Sequence, residues 1–346
     1  MIRKTVPVLV VSAVTMLALA GCDRNSGERE KAAGHYRRGY EYLDREQNQL
    51  AIAEFTKAIE LDPSLEDAHR HRGVAYWWSG DYDAAIADMT EAVHVDATDA
   101  QAYFIRGVCR GIKGELEGAY SDYCEAVGNK QNYTEAYGNR GRILQHLSRH
   151  QEAIEDFDKA IELGGQAAGY YAARGASYGG LRQHDKAILD CTTAIGLDKN
   201  IAVAYYTRGL AYSEKAQYRD AITDFSRSLE LKPHNHFAHC NRGAAYAEIE
   251  DYASAIKDLT RAIVLNRNRA DPYGDRANAY MRTGDYDRAW ADVEMCTQLG
   301  AELLPEFLVE LRRISGRDRH GVGKLDERGG NDREEKRPTS GSTGQE

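Results

Sequence analysis

Sixteen charged residues recur at a spacing that predicts ion pairs. An arginine returns every 34 residues, and an acidic residue follows each arginine 16 positions later. The guanidinium fork of arginine can hold a carboxylate with two hydrogen bonds, so the spacing predicts one such pair in each 34-residue repeat. The arginines are Arg38, Arg72, Arg106, Arg140, Arg174, Arg208, Arg242 and Arg276, and the acidic residues are Glu54, Asp88, Asp122, Asp156, Asp190, Asp224, Asp258 and Asp292. We interpret the pairs as a structural ladder rather than as a site for a charged ligand.

A second candidate for chemistry is a G-x-S-x-G motif at residues 175–179, with Ser177 at its centre. In hydrolases this motif holds the nucleophilic serine on a sharp turn between a strand and a helix. Ser177 falls instead in the middle of a predicted helix. We therefore treat the match as coincidental and expect the protein not to be an enzyme.

A third candidate is the group of potential metal ligands His236, His239 and Cys240, which lie within about one helical turn. The position of His239 in its repeat is occupied by Tyr or His in every other repeat. We therefore predict that His239 packs like an aromatic residue of the core, and we predict neither a metal site nor a cofactor.

The helices that position these residues follow from the 34-residue period. We number each repeat so that its arginine is position 7; position 8 is then Gly or Ala, and position 20 is Ala in all eight repeats. Small residues at these positions let two helices, A and B, approach closely, and large apolar residues such as Phe55 fill the space beside them. Between the helices, Gly80 can end helix A and Asp81 can cap helix B.

This combination of small, large and turn positions resembles the tetratricopeptide repeat, whose period is 34 residues. The resemblance implies an all-α, right-handed superhelical solenoid of eight helix-turn-helix repeats over residues 32–303, with helix A lining the concave face. The arginine at position 7 departs from the leucine that is usual there. The sequence does not support nucleic-acid binding, because the net charge is −9 and no repeat supplies a basic stripe.

The last segments of the chain differ from the repeats. Phe307, Leu308, Leu311 and Ile314 form one apolar stripe, which predicts a capping helix over residues 304–316. Residues 317–346 are rich in Gly and charged residues without periodicity, which predicts a disordered tail.

The N-terminus is predicted to be a targeting segment. Arg3 and Lys4 precede an apolar stretch of about 15 residues, which is shorter than the roughly 20 residues that span a bilayer. Residues 19–22, Leu-Ala-Gly-Cys, resemble the bacterial lipobox, which implies a signal peptide over residues 1–21, acylation of Cys22 and a tether over residues 22–31. The resemblance places the protein in the cell envelope, facing the periplasm, with the inner membrane favoured over the outer by Asp23.

The remaining cysteines do not predict a disulfide framework, because their number is odd and two of them occupy core positions. They are Cys109, Cys124, Cys191, Cys240 and Cys296.

The concave face indicates the function. The resemblance assigns positions 2, 5, 9, 12 and 13 of helix A to this face, which places Tyr36, Tyr40, Trp77, Trp78 and Phe104 in a partner-binding site. The middle repeats contribute small residues, including Ala176 and Gly179, at the same positions. Aromatic residues of this kind anchor protein interfaces. The alternative is that they pack against the tether or a neighbouring repeat.

We therefore predict a non-catalytic scaffold or adaptor, anchored to the membrane through the lipid on Cys22, that binds protein partners in its groove. One alternative is a lipoprotein that binds cell-wall glycan or a small ligand. Another is an assembly factor for a pilus or secretion apparatus, or an adaptor for wall hydrolases. The sequence leaves open whether the tail fills the groove.

Overall fold

The structure is a computed structural model that describes residues 26–164 and 168–316, and these residues form two compact halves. Seventeen helices and no strand occur in the described residues. The first half contains α1 (Ser26–Asp44), α2 (Asn48–Leu61), α3 (Glu66–Ser79), α4 (Tyr82–Val95), α5 (Ala100–Lys113), α6 (Leu116–Asn129), α7 (Thr134–His146) and α8 (His150–Glu162). The second half contains α9 (Ala168–Gly180), α10 (His184–Leu197), α11 (Ala202–Glu214), α12 (Tyr218–Leu231), α13 (His236–Glu248), α14 (Tyr252–Leu265), α15 (Asp271–Thr283), α16 (Tyr286–Gln298) and α17 (Pro305–Ser315).

Consecutive helices pair in the order that the period predicts. Each odd-numbered helix from α1 to α15 packs against the next helix, as helix A against helix B of one repeat. Within each half, helix B also packs against helix A of the following repeat. The prediction of an all-α solenoid of helix pairs is therefore confirmed.

The small residues at position 8 are required by close packing between helix A and helix B. A methyl group added at Gly39 would lie 2.7 Å from the ring of Phe55, and one added at Gly209 would lie 2.8 Å from Phe225. Both phenylalanines are fully buried. The alanine at position 20 is also completely buried in every repeat, so small and large residues interlock along each helix pair.

The turn between helix A and helix B has one conformation throughout. Position 15 is left-handed in all eight repeats, but glycine occupies it only at Gly80, Gly114 and Gly284. Asp81 and Asp285 then accept hydrogen bonds from backbone N–H groups in the first turn of α4 and α16. At the other five turns the left-handed residue is Glu46, Ser148, Arg182, Ala216 or Glu250.

Two features of the chain ends fall within the described residues. Helix α1 begins at Ser26, so it extends into the segment predicted as a tether; its residues Glu28 to Lys31 include no proline or other residue that would stop a helix. Helix α17 buries Leu311 and packs Phe307, Leu308 and Ile314 against a core that includes Ala277 and Tyr280.

The predicted signal peptide, Cys22 and the predicted tail lie outside the described residues. Within them, no helix is both long and apolar enough to cross a membrane.

Candidate functional site

The ladder residues meet between helix A and helix B of every repeat. Arg72 Nε and Nη2 donate to the two carboxylate oxygens of Asp88, with both distances 2.8 Å. Six further arginines use the same two nitrogens on their aspartates. In the first repeat Arg38 donates only through Nε to Glu54, because its Nη2 contacts the ring of His35 at 2.6 Å.

These pairs lie in a seam of low accessibility. The seven aspartates are at most 5% exposed, whereas the arginine side chains remain partly accessible. Burial acts to raise the pKa of Asp258, but the hydrogen bonds from Arg242 and His239 outweigh it and leave that pKa below its ordinary value. The aspartate is therefore ionised and held by its partners.

The third guanidinium nitrogen connects neighbouring repeats. Nη1 of Arg72 donates to Thr56 at 3.1 Å, and Nη1 of Arg208 donates to Thr192 at 2.9 Å. The same contact reaches Thr90, Ser226 and Thr260 from Arg106, Arg242 and Arg276. Sequence reasoning missed this hydroxyl, and its signal is a Thr or Ser 16 residues before the arginine.

Position 4 supplies a further contact that was not predicted. Where it is tyrosine, the guanidinium lies near the ring, as for Arg106 and Tyr103 at 5.4 Å. Where it is histidine, Nδ1 contacts the acidic residue instead, at 3.0 Å between His239 and Asp258. His239 is therefore a polar partner of the ladder rather than an aromatic substitute in the core.

The other candidates for chemistry are dispersed. The hydroxyl of Ser177 is buried within α9 and donates to the carbonyl of Ala173 at 3.3 Å. His236 stacks on Phe237, and Cys240 Sγ lies 3.8 Å from a carboxylate oxygen of Asp271. In the described ranges, no group of three or more His, Cys, Asp or Glu side chains could hold a metal ion. The described cysteines are free thiols, and all but the half-buried Cys124 are buried.

All five residues of the predicted partner-binding site lie in the first half of the structure, and we call them the aromatic surface: Tyr36, Tyr40, Trp77, Trp78 and Phe104. Each is partly buried and packs against one hydrophobic core cluster built from α1 to α5. Each also keeps part of its side chain accessible. The aromatic surface thus rests on one core cluster and remains partly accessible.

His71 lies beside two residues of the aromatic surface and was missed by sequence reasoning. Its ring centroid is 5.6 Å from that of Tyr36 and 5.5 Å from that of Tyr40. Burial and the charge of Arg70 lower the pKa of His71, so its ring is neutral at pH 7. Burial also raises the pKa of Tyr36 to about 12, which keeps its hydroxyl protonated.

The remaining aromatic residues pack in separate contacts. The rings of Trp77 and Trp78 are 6.4 Å apart. The ring of Phe104 lies 4.9 Å from that of Tyr133 and 5.9 Å from that of Tyr123. Both tyrosines belong to the same repeat as Phe104, so Phe104 is covered in part by its own repeat.

Comparison with known proteins agrees with the fold. A TPR repeat model matches residues 39–77, and tetratricopeptide repeat models match residues 75–133, 134–164, 202–235 and 238–269. Together these matches cover more than half of the chain. The structure adds the two repeats that they leave out, which are α9 with α10 and α15 with α16. No curated protein sequence matches the chain.

Solved structures that resemble this chain share little sequence with it. The crystal structure of the APC/C hetero-tetramer Cut9-Hcn1 has a TM-score of 0.59 and 18% identity over 76% of this chain and 52% of that chain. The chain therefore spans about half the length of that relative. YrrB, described as a TPR protein with an unusual peptide-binding site, has a TM-score of 0.43 and 23% identity, over 53% of this chain and 95% of its own. MamA has a TM-score of 0.43 and 24% identity, over 49% of this chain and 93% of its own.

Stacked helix pairs of this kind form a fold that is typical of scaffolds for protein–protein interaction and is typically non-enzymatic. The chain belongs to the tetratricopeptide repeat family.

Proposed function

We propose that the protein is a lipid-anchored scaffold of the bacterial cell envelope that faces the periplasm and binds protein partners through its aromatic surface. The observation that supports partner binding is the packing and accessibility of the five aromatic residues. All of them rest on one core cluster, and all of them remain partly accessible.

The aromatic surface is suited to binding because its residues are already ordered. Interface energy concentrates in a few aromatic anchors that lose water on binding, and residues held in place before binding lose less entropy. Tyr36 is fixed by its ring contact with Phe55 at 5.8 Å and by its hydroxyl, which lies 3.3 Å from His71 Nδ1. A partner therefore meets a preformed apolar surface.

The membrane anchor is proposed from the sequence. Residues 19–22 support acylation of Cys22, and two or three acyl chains give stable attachment where a single chain is marginal. Asp23 supports retention in the inner membrane. The lipid is the only non-protein group that the proposal requires.

The proposal is tested by photo-crosslinking in the native membrane. A photoreactive amino acid is placed at Trp78 and, as a control, at Ala87, an exposed residue of α4 outside the aromatic surface. We expect a discrete protein to be captured from position 78 and not from position 87, and mass spectrometry then identifies it. A wall hydrolase or a pilus or secretion component among the products would support the adaptor or assembly alternatives within the scaffold class. Equal capture from both positions would contradict binding through the aromatic surface.

A receptor for cell-wall glycan or a small ligand is the second candidate, and the small residues of α9 favour it. Ala176 and Gly179 are partly accessible, and a Cβ atom added at Gly179 would meet no other atom within 4 Å. The Cβ atom of a Gly179→Trp substitution therefore has open space, and we expect its ring to cover this surface. Saturable binding of purified peptidoglycan fragments that is lost in this variant would establish the second candidate.

A further inference from the structure

A surface cavity of about 620 Å³ lies in the first half of the structure, apart from the aromatic surface. Its walls come from α6 (Cys124, Gly128), from the following loop (Gln131, Asn132), from α7 (Arg140) and from α8 (Lys159). Position 7 of helix A, which carries Arg140, is about 200° around the helix from positions 5 and 9, which belong to the predicted partner-binding face. The cavity is thus independent of the proposed scaffold function.

Gly128 contributes no side chain to the cavity wall. Gly128 occupies position 29 of its repeat, where three of the other seven repeats carry glutamate, at Glu60, Glu162 and Glu230. A Cβ atom at Gly128 would meet nothing within 4 Å, and its backbone is ordinary helix. Packing therefore does not require glycine here.

Arg140 has one nitrogen that is weakly occupied. Nε and Nη2 donate to Asp156 at 2.8 and 2.6 Å, as elsewhere in the ladder. Nη1, however, contacts Cys124 Sγ at 3.5 Å, where other repeats supply a hydroxyl oxygen at 2.9 to 3.3 Å. A thiol is a weak acceptor, so Nη1 can donate to a ligand in the cavity with little loss.

Lys159 supplies the second positive charge. Its Nζ lies 3.0 Å from Glu162, whose side chain is 69% exposed. Exposed pairs of this kind contribute little to stability, so the ammonium group can turn toward a ligand. Within the part of the chain that the structure describes, no acidic residue lines the cavity, although the whole protein carries a net charge of −9.

We propose that this cavity binds a small organic anion that carries more than one acidic group. Arg140 and Lys159 bind the acidic groups, and the side-chain amides of Gln131 and Asn132 hydrogen-bond to oxygen atoms of the ligand. Val127 and the ring of Tyr137 line the same cavity and contact the carbon skeleton. The volume lies within the range of small-molecule sites and exceeds the size of an inorganic ion.

The position of Cys124 in the cavity wall provides a direct test on the full-length protein. The rate of alkylation of Cys124 by iodoacetamide is measured by peptide mass spectrometry, with and without citrate as the probe. At a citrate concentration about ten times the dissociation constant, mass action predicts alkylation about tenfold slower, since the bound form shields the thiol. Sodium chloride at the same ionic strength should leave the rate unchanged.

Matched glycine variants separate binding from nonspecific effects. Gly128→Glu introduces the side chain that three other repeats carry, so we expect a folded protein in which citrate no longer slows alkylation. Gly196→Glu makes the same change at position 29 of the fifth repeat, where a Cβ atom also has open space, and should retain full protection. Lys159→Met should weaken protection without affecting the fold.

The proposal is overturned by citrate that does not protect Cys124, by equal protection from sodium chloride, or by protection that persists in Gly128→Glu. Protection by inorganic phosphate as strong as that by citrate would also overturn the organic-anion assignment. Because the readout is local to the cavity, these outcomes do not depend on whether the aromatic surface binds a partner.

Discussion

Arg174 on α9 and Asp190 on α10 are joined by two hydrogen bonds, each 2.7 Å long. Asp190 is only 5% exposed, so its charge has little access to water. The same pairing recurs in the other repeats and joins helix A to helix B through charged groups. The tetratricopeptide repeat family usually has leucine at the position of this arginine.

The first prediction concerns removal of one partner. Arg174→Leu leaves a buried carboxylate without its guanidinium, and we expect a loss of about 3 to 5 kcal/mol in the free energy of unfolding. Arg38→Leu is the matched control, since Glu54 keeps contacts to His35 and Lys57 and Arg38 is half exposed. Chemical denaturation measures both variants. An unchanged midpoint for Arg174→Leu, or a larger loss for Arg38→Leu, would refute the structural role of the ladder.

The second prediction concerns backbone strain at position 15. Ala216 has a φ of 56°, a conformation that disfavours residues with a side chain by roughly 1 to 2 kcal/mol. We expect Ala216→Gly to raise the free energy of unfolding by up to about 1 kcal/mol, the gain being reduced by the flexibility of glycine in the unfolded chain. The reverse change, Gly114→Ala, at a φ of 82°, should lower it. Two shifts of the same sign would be inconsistent with this explanation.

The third prediction concerns pH. Burial raises the pKa of Asp275 to about 6, with further contributions from the charges of Asp271 and Glu248. Because the folded state binds the proton more tightly than the unfolded state, the stability from this group is present at low pH and is lost as the pH rises from about 4 to about 6.

The Asp275→Asn variant tests this sign. It carries no charge at any pH, so above pH 6 it should be more stable than the unmodified protein by about 2 to 3 kcal/mol, whereas near pH 4 the two should be similar. Asp271→Asn, at an exposed neighbour, should have a smaller effect. Thermal or chemical unfolding at both pH values provides the measurement, and a stability difference independent of pH would contradict the assigned pKa.

The fourth prediction concerns the anchor. Cys22→Ser removes the acylated residue, and we expect the protein to move from the membrane fraction to the soluble fraction of the cell envelope. Asn25→Ser, a change in the same segment, serves as the control. Persistent membrane association of Cys22→Ser would require another means of attachment.

The helix order and the pairing of helices within repeats could be predicted because the same residue types recur every 34 residues. Arginine recurs at position 7 without exception and alanine at position 20, so eight independent copies support each inference. The hydroxyl that links repeats could not be found in this way, since position 25 varies among Thr, Cys, Asp, Ser and Glu. The role of His71 was also hidden, because its contacts with Tyr36 and Tyr40 join residues about one repeat apart in the sequence.

The start of the first helix could not be predicted for a different reason. Residues 26–31 are polar and lack an apolar stripe, yet their side chains are compatible with a helix once the following turns are packed. The periodicity of apolar residues reveals where a helix packs against another helix. It does not reveal a solvent-exposed extension of that helix.

The central claim is that the aromatic surface binds a protein partner. The most direct measurement is the affinity of the partner captured from position 78 for the Tyr40→Ala, Trp77→Ala double variant. Tyr252→Ala, a half-buried tyrosine of α14, serves as the control, and thermal unfolding verifies the fold of each variant. We predict that the double variant weakens binding by more than about 2 kcal/mol, or roughly 30-fold, while the control leaves it unchanged. Equal affinity of the folded double variant and the unmodified protein would contradict the account.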